Sequence, residues 1–212
     1  MEGELFVVSA PSGTGKTTLV RALFAHHKAV ARELRYSVSH TTRAPRPGEV
    51  HGRDYFFVSA EEFSRLVAED NFLEWAEVYG QMKGTARFAV AELLAQGTDV
   101  LLDIDVQGAL QVKRKMPAAH LIFILPPSYQ DLEQRLRSRA TDDPQQVERR
   151  LRIASEEVEA MDQYDYVIVN EDLVTATDAL AAVLMARRQL RTRMGKAIDQ
   201  VLATFPKQIP AS

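Results

Sequence analysis

A glycine-rich segment that ends in Lys-Thr-Thr carries the clearest chemistry in the sequence. Its backbone N–H groups could converge on phosphate oxygens, Lys16 could reach the outer phosphates, and Thr17 could hold Mg²⁺. An apolar run at residues 5–8 precedes it and helically spaced leucines follow. A strand, a loop and a helix thus succeed one another in the order that a phosphate loop requires. Ala10 replaces the first glycine of the GxxxxGK[ST] pattern and adds only a methyl group. The segment comprises Ala10, Pro11, Ser12, Gly13, Thr14, Gly15, Lys16, Thr17 and Thr18.

Two aspartates follow a second apolar run. Asp103 closes the run at residues 100–102 as the acid of a Walker B motif does, so it could orient Mg²⁺ directly or through water. Asp105 comes two residues later and would share its face if the strand continued. These residues predict a nucleotide-binding protein, although GTPases, motor ATPases and small kinases all carry such a loop.

The elements that must position these residues are those of an α/β fold. Near-continuous apolar runs at residues 5–8, 100–104, 121–125 and 166–169 suit strands covered on both faces, with helices between them. Residues 36–57 differ, because β-favouring residues surround a Pro/Gly loop, and they predict short antiparallel strands. We therefore predict a three-layer fold with a parallel core sheet and an inserted mixed or antiparallel lobe.

Several helix starts are marked by polar residues. Ser59 and Ser128 each precede a first turn that carries an acid, and Asp143 precedes a proline, so all three are predicted N-caps. A last helix is expected at about residues 175–202.

The composition fits a folded chain in which phosphate recognition is local. Of 212 residues, 46% are apolar and 26% are charged, and the net charge of −3 argues against general nucleic-acid binding. The absence of cysteine and the scattered histidines argue against disulfides and against thiolate or histidine metal sites. No stretch is long enough to span a membrane and no signal peptide is recognised, so a cytoplasmic location is expected.

Six motifs stand in the order and spacing of guanylate kinases, and the chain resembles a bacterial member of that family. They are APSGTGKTT, SVSHTTRAPRPGEVHGRDYFF, FLEWAEV, LLDIDVQG, the arginines of QRLRSRA, and YVIVN. The resemblance implies Mg²⁺-dependent transfer of the γ-phosphoryl group of ATP to GMP. It also implies a P-loop NTPase core at residues 1–35 and 91–212, a GMP-binding lobe at 36–90 and a small helical lid at about 128–158.

Guanine recognition sets its own chemical requirements. Guanine offers N1–H and N2–H₂ donors beside an O6 acceptor, so a selective pocket needs carboxylates and a hydroxyl. The resemblance implies that Glu74 and Asp105 are the carboxylates and that Ser39 is the hydroxyl. Adenine would leave a buried carboxylate underpaired, which costs more than ~1–3 kcal/mol.

The resemblance also implies a site for the GMP phosphate. Arg43 and Arg46, in a Pro-rich loop, and Tyr55 are its expected ligands, and guanidinium forks suit phosphate oxygens. Where the family usually reads GNYYG followed by Ser or Thr, this chain reads GQMKG followed by Thr85. Lys83 thus replaces the second tyrosine and could donate a charge-assisted hydrogen bond; both Lys83 and Thr85 are expected GMP contacts.

The predicted lid arginines are Arg135, Arg139 and Arg150. Together with Lys16 and Arg43, the resemblance implies that they stabilise the negative charge of the transferring phosphoryl group. The other arginines of these segments are expected to pair on helix surfaces. Where the family usually has glycine after Arg139, this chain has alanine, which affects the predicted hinge and not the charge.

Two alternative functions share part of this sequence pattern. A kinase for another nucleoside monophosphate, most plausibly AMP, is disfavoured by Glu74 and Asp105. A non-catalytic, guanylate-kinase-like module that binds protein ligands would typically have a degraded phosphate loop, whereas GKT is intact here. The expected partners are ATP and GMP, with no nucleic acid and no membrane, and the sequence favours neither a monomer nor a homo-oligomer.

Overall fold

A computed structural model describes residues 2–78, 80–138 and 144–206. Its strands are β1 (Leu5–Ser9), β2 (Leu34–Tyr36), β3 (His40–Thr41), β4 (Phe56–Phe57), β5 (Phe72–Val78), β6 (Gln81–Ala86), β7 (Asp99–Asp103), β8 (His120–Leu125) and β9 (Tyr166–Val169). Its helices are α1 (Lys16–His26), α2 (Lys28–Ala31), α3 (Ala60–Ala68), α4 (Arg87–Ala95), α5 (Val106–Lys115), α6 (Tyr129–Arg137), α7 (Pro144–Glu159), α8 (Leu173–Arg188) and α9 (Gly195–Leu202). A short 3-10 helix, Ala160–Gln163, follows α7.

The central sheet has the strand order β2-β7-β1-β8-β9, and every neighbouring pair is parallel. One face packs against α1 and α8, and the other packs against α4 and α5. Strand β1 is buried along its whole length, as a strand covered on both faces must be. The predicted three-layer α/β fold with a parallel core sheet is therefore confirmed.

A second sheet, with the order β4-β3-β6-β5, lies between β2 and α4 in the sequence. It is mixed, because β3 pairs parallel with β4 and antiparallel with β6. The prediction that the strands at residues 36–57 are antiparallel is wrong for β3 and β4. Strand β2 was not predicted, since only Leu34 of its three residues is buried and one residue makes no periodic pattern.

The predicted N-caps at Ser59 and Ser128 are confirmed. Each hydroxyl accepts a hydrogen bond at 3.0 Å from the backbone N–H three residues later. Asp143 lies outside the described residues, and α7 begins at Pro144. None of the helices within the described ranges is long and apolar enough to cross a membrane.

Two elements end earlier than the sequence suggested. Strand β7 stops at Asp103, and Asp105 instead caps α5 by accepting a hydrogen bond from the Gly108 N–H at 2.7 Å. The single last helix at residues 175–202 is also wrong, because α8 ends at Arg188 and α9 begins at Gly195.

The break between these last two helices has an electrostatic cause at the first residue of β7. The Asp99 side chain is 3% exposed and lies 2.9 Å from Arg188 and 2.8 Å from Arg193. Its Oδ1 also accepts a hydrogen bond from the Glu4 N–H at 2.8 Å. Burial raises the pKa of Asp99, but Arg193, the Glu4 N–H and Arg188 outweigh it, so the pKa lies below its ordinary value. The chain thus turns so that both arginines reach one buried carboxylate.

We expect Asp99→Ala to lower the free energy of unfolding by about 3 kcal/mol, because removing one partner of a buried ion pair leaves the other charge uncompensated. Urea denaturation followed by circular dichroism measures the loss. Glu33→Ala is the matched control, since Glu33 contacts the same Arg188 at 3.5 Å but its side chain is 67% exposed. That change should cost less than about 1 kcal/mol. Equal losses for the two variants would contradict a stabilising role for the buried contact.

Candidate active site

The glycine-rich loop joins β1 to α1 at the carboxyl end of the central sheet. Gly13 and Gly15 have positive φ angles of 95° and 94°, which L side chains rarely adopt. A Cβ at Gly13 would also lie 2.9 Å from the Leu136 side chain of α6, which would have to move to admit it. A loop of this shape can offer its backbone N–H groups to phosphate oxygens near the start of α1, where the helix dipole adds positive potential.

Lys16 is oriented by the neighbouring strand. Its ammonium group lies 2.7 Å from Asp103 Oδ1 and also donates to the Ile104 carbonyl. The Asp103 side chain is 8% exposed, and its residue pairs with Val8 across the parallel β1–β7 ladder. Lys16, Asp103 and Thr17 line a single cavity of about 650 Å³, to which the segment at residues 49–55 also contributes.

Two carboxylates converge beside the start of α5. A Cβ at Gly108 would lie 3.0 Å from Glu74 Oε2 and 3.3 Å from Asp105 Oδ1, so both oxygens approach the same glycine. Glu74 is 6% exposed, and its Oε1 accepts a hydrogen bond from the Thr85 hydroxyl at 2.6 Å. Asp105, which caps α5, lies two residues beyond the end of β7 of the central sheet. Donors that enter this corner would therefore meet carboxylate oxygens from two separate parts of the chain.

The environment of Glu74 changes its protonation. Burial raises the pKa of Glu74 to about 7, the Thr85 hydroxyl opposes the rise, and the negative charge of Asp105 adds to it. Near neutral pH this carboxyl group thus exists in both protonation states, and a ligand that donates hydrogen bonds favours the ionised one.

Strand β5 holds Glu74 in place because it is fixed to α5 on both sides of that residue. The Trp75 backbone forms two hydrogen bonds with the Gln111 side chain, at 3.2 and 3.1 Å. Lys115 donates to the Phe72 carbonyl at 2.7 Å. These contacts join the second sheet to the helix that Asp105 caps, and they bring the two carboxylates together.

The predicted phosphate ligands of the Pro-rich loop lie around Tyr55. The Arg43 guanidinium and the Lys83 ammonium stand 5.4 and 5.7 Å from the centre of the Tyr55 ring. Glu49 joins the two loop arginines, at 2.8 Å from the Arg43 guanidinium and 2.7 Å from the Arg46 backbone N–H. Burial, together with the charges of Arg43 and Arg46, lowers the pKa of Lys83.

Of the three predicted lid arginines, Arg135 has described contacts with the phosphate loop. Arg135 of α6 donates to the carbonyls of Thr14 and Asn170, at 3.2 and 3.4 Å, so it lies against the phosphate loop. Arg150 lies on α7, whereas Arg139 lies outside the described residues. The remaining predicted contact, Ser39, is half-buried and directly precedes β3.

Two residues beside the loop were not predicted from the sequence to belong to the site. The Asn170 side-chain amide, 7% exposed, donates to the Thr14 carbonyl at 2.7 Å and so holds the loop from the end of β9. A polar residue directly after an apolar strand was the available signal. Glu157 of α7 lines a cavity of about 320 Å³ together with the phosphate loop and Asp105. Its helix carries many charges, and nothing in the spacing singled it out.

Comparison with known proteins matches this arrangement to one family. The guanylate kinase family model covers residues 2–187. Guanylate kinase from Koribacter versatilis (strain Ellin345) is 49% identical over 91% of this chain and 82% of its own length. Guanylate kinase from Escherichia coli K12 is 46% identical over 95% of this chain and 97% of its own length. The crystal structure of guanylate kinase from Anaplasma phagocytophilum superposes with a TM-score of 0.71 and 34% identity, over 98% of each chain. The chain belongs to the guanylate kinase family.

Proposed function

We propose that the protein transfers the γ-phosphoryl group of ATP to GMP, with Mg²⁺, and so yields ADP and GDP. The observation that supports this most is the placement of Lys16 between two sites of different chemistry. On one side is a phosphate loop, and on the other are the buried Glu74 and the exposed Asp105, whose carboxylates suit a base rich in donors. Family membership supports the same reaction.

The two proposed binding functions belong to the parts of the chain that form the two sheets. Residues 1–35 and 91–212 form the nucleotide-binding core, and residues 36–90 form a lobe that binds GMP. Residues at about 128–158, which include α6 and most of α7, act as the lid. Strand β2 enters the core sheet, so the change from core to lobe takes place just after Tyr36.

ATP would bind along the outer side of the phosphate loop. The segment of residues 10–18 offers its N–H groups to the phosphates, and Lys16 reaches the outer oxygens. A cavity of about 500 Å³ continues from Gly13, Gly15 and Thr18 to Arg135 and Asn170, which gives the nucleoside a place to lie.

GMP would bind with its base at the two carboxylates. Ionised Glu74 and Asp105 accept from N1–H and N2–H₂ of guanine, the Ser39 hydroxyl serves O6, and Thr85 orients Glu74. Adenine has neither of these donors at the matching positions and would leave the buried Glu74 without partners. This argues against AMP as the substrate.

The GMP phosphate would lie near Tyr55, within reach of Arg43, Arg46 and Lys83. Tyr55 and Glu49 line the same cavity as Lys16 and Asp103, so a phosphate held there faces the donor side. Glu49 already pairs with Arg43, and the phosphate must share or replace that contact.

The residues at the phosphate loop fit Mg²⁺. A hydroxyl, Thr17, and a carboxylate, Asp103, line one cavity, and hard oxygen ligands of this kind suit the ion. No cluster of three or more His, Cys, Asp or Glu side chains with metal-binding geometry exists in the described part of the chain. Substrate phosphates and water would therefore complete the shell, as Mg²⁺ prefers. When bound, the ion neutralises charge between the β- and γ-phosphates.

The reaction requires the protein to position the two phosphate groups and to neutralise their negative charge. Lys16 holds the transferring group from the loop side, and Arg43 holds the attacking phosphate oxygen from the lobe side. The lid arginines Arg135, Arg139 and Arg150 neutralise charge on the equatorial oxygens. No general base is required, because the attacking phosphate oxygen is already ionised. Lid closure excludes water and limits hydrolysis of ATP.

The intact loop also argues against a non-catalytic protein-binding module, since such a module needs neither an oriented Lys16 nor its contact with Asp103. A coupled assay of ADP release with GMP, dGMP and AMP tests the whole proposal. Turnover with GMP well above that with AMP is the expected result. ATP binding without phosphorylation of any of these acceptors would overturn it.

Lys16→Ala should reduce turnover at least a hundredfold, because the lysine neutralises about one charge in the transition state, worth roughly 3 kcal/mol. Steady-state kinetics and thermal denaturation separate activity from folding. Lys28→Ala, at an exposed lysine just beyond α1, is the control and should keep the full rate. If purified Lys16→Ala kept more than about a tenth of the wild-type rate, the assignment of the phosphate loop would fail.

Glu74→Gln should weaken the use of GMP roughly tenfold or more and leave the KM for ATP nearly unchanged, because an amide cannot accept from both guanine donors. The pH profile adds a second readout. Since the pKa of Glu74 is raised to about 7, wild-type kcat/KM for GMP should fall as the pH drops through 7, and the variant should lack this part of the fall. Glu77→Gln, at an exposed acid of the same strand, controls for local charge. An unchanged KM and rate for GMP would remove Glu74 from the base pocket.

Lys83→Ala should raise the KM for GMP roughly tenfold with little change in the KM for ATP, because it removes a charge-assisted hydrogen bond of ~1.5–3 kcal/mol. Lys83→Tyr restores the usual residue of the family and should recover part of the loss. Its KM should also depend less on salt than that of the wild type, since the phenol is neutral. A change within twofold for Lys83→Ala at low salt would show that the lysine does not contact the phosphate.

A further inference from the structure

Glu157 is an acid of the lid helix whose side chain faces the phosphate loop. It lies near the end of α7 and lines the same cavity of about 320 Å³ as Ser12, Gly13 and Lys16. Its Oε2 is buried and has no hydrogen-bond partner among the described residues. A carboxylate oxygen in that position is unusual, because an unpaired buried acceptor is costly.

The loop that Glu157 faces is built for anionic oxygens. The backbone N–H of Ser12 favours the ionised form of Glu157, as does the positive charge of Lys16. A phosphoryl group that enters the loop uses donors of the same kind and brings further negative charge. The carboxylate and the terminal phosphate of ATP therefore compete for the same end of the cavity.

The helix that carries Glu157 can transmit this competition to the lid. Helix α7 packs on α6 through a small apolar cluster that is separate from the cores of the two sheets. A Cβ placed at Gly13 would lie closest to two members of that cluster, Leu132 and Leu136 of α6. Helix α7 is thus linked to the loop through Glu157 and also, through the shared cluster, by α6.

On the assumption that ATP binds at this loop, as the proposed function states, we infer that Glu157 is a positioning residue that ties the lid helix to the phosphate loop and opposes ATP. The carboxylate holds α7 near Ser12, and the incoming phosphates must displace it or raise its pKa so that it takes up a proton from the solvent. Lid movement and ATP binding are thereby coupled through one side chain.

The protonation of Glu157 sets the strength of this opposition. Burial and, to a smaller extent, the charge of Asp105 raise the pKa of Glu157 to about 7, against the lowering effects of Lys16 and the Ser12 N–H. The Tyr164 hydroxyl, from the segment before β9, also faces the group, and its own pKa is raised to about 12. Above pH 7 Glu157 is mostly ionised and repels phosphate. Below pH 7 it is mostly neutral, and glutamine should mimic it.

Isothermal titration calorimetry with Mg²⁺ and the β,γ-imido analogue of ATP, in the absence of GMP, tests the inference. The ratio of the wild-type Kd to the Glu157→Gln Kd should be about one at pH 6 and on the order of five to ten at pH 8.5, because only the ionised wild type repels the ligand. Titration of the nucleotide itself cancels in this ratio. Titrations near pH 7.5 in two buffers of different ionisation enthalpy should also show proton uptake by the wild type that the variant lacks.

Two further variants separate charge from structure. Glu157→Asp keeps the charge and should keep the pH dependence, whereas Glu156→Gln, at an exposed acid of the same helix, should match the wild type. A ratio near one at every pH, weaker binding by Glu157→Gln, or a change in GMP affinity instead would overturn the inference. Failure of the wild type to bind the ATP analogue at all would instead refute the proposed function.

Discussion

Strands β1 and β7 run side by side in the same direction, so the segments that follow them leave the sheet at one edge. The β1–β7 register pairs Val8 with Asp103, and this pairing brings the loop after β1 to the acid at the end of β7. The contact of Lys16 with Asp103 follows directly from that register. Other parts of the site are held at the same edge by hydrogen bonds. Arg135 donates to the Thr14 carbonyl, and the backbone of β5 is hydrogen-bonded to a side chain of α5. A shift of β1 against β7 would separate all of them.

A second constraint is the balance of charge at this edge. The chain carries a net charge of −3, yet the proposed substrates are both strongly anionic. The cations proposed to receive them are paired with carboxylates, Lys16 with Asp103 and Arg43 with Glu49. Each pair orients a long, flexible side chain before a phosphate arrives. The phosphate must then share the cation, so binding exchanges one anion for another and does not simply add a charge.

The sequence was informative wherever function depends on a local pattern. The phosphate loop, the caps at Ser59 and Ser128 and the parallel runs each lie within a few residues, and geometry follows from them almost directly. It was uninformative where the cause lies far away in the chain. The break between α8 and α9 follows from Asp99, about ninety residues earlier, and β2 forms because β7 offers a free edge. Glu157 belongs to the same class, because only the tertiary fold brings its helix to the loop.

At Glu74, the proposed specificity for the base and the stability of the fold are opposed. The pKa of Glu74 in the fold is about 7 against an ordinary value of 4.5, so the folded chain binds this proton more tightly than the unfolded chain does. Its contribution to stability is therefore fully present below about pH 4.5 and is lost as the pH rises through 7. Near neutral pH the fold thus carries a partly ionised carboxyl group in a place that disfavours charge, with Thr85 as its nearest donor. A ligand whose base supplies two further donors offsets that cost, whereas one without them does not. A chain with an apolar residue at position 74 would fold more easily. Strand β5 would then present no carboxylate for the proposed recognition of guanine.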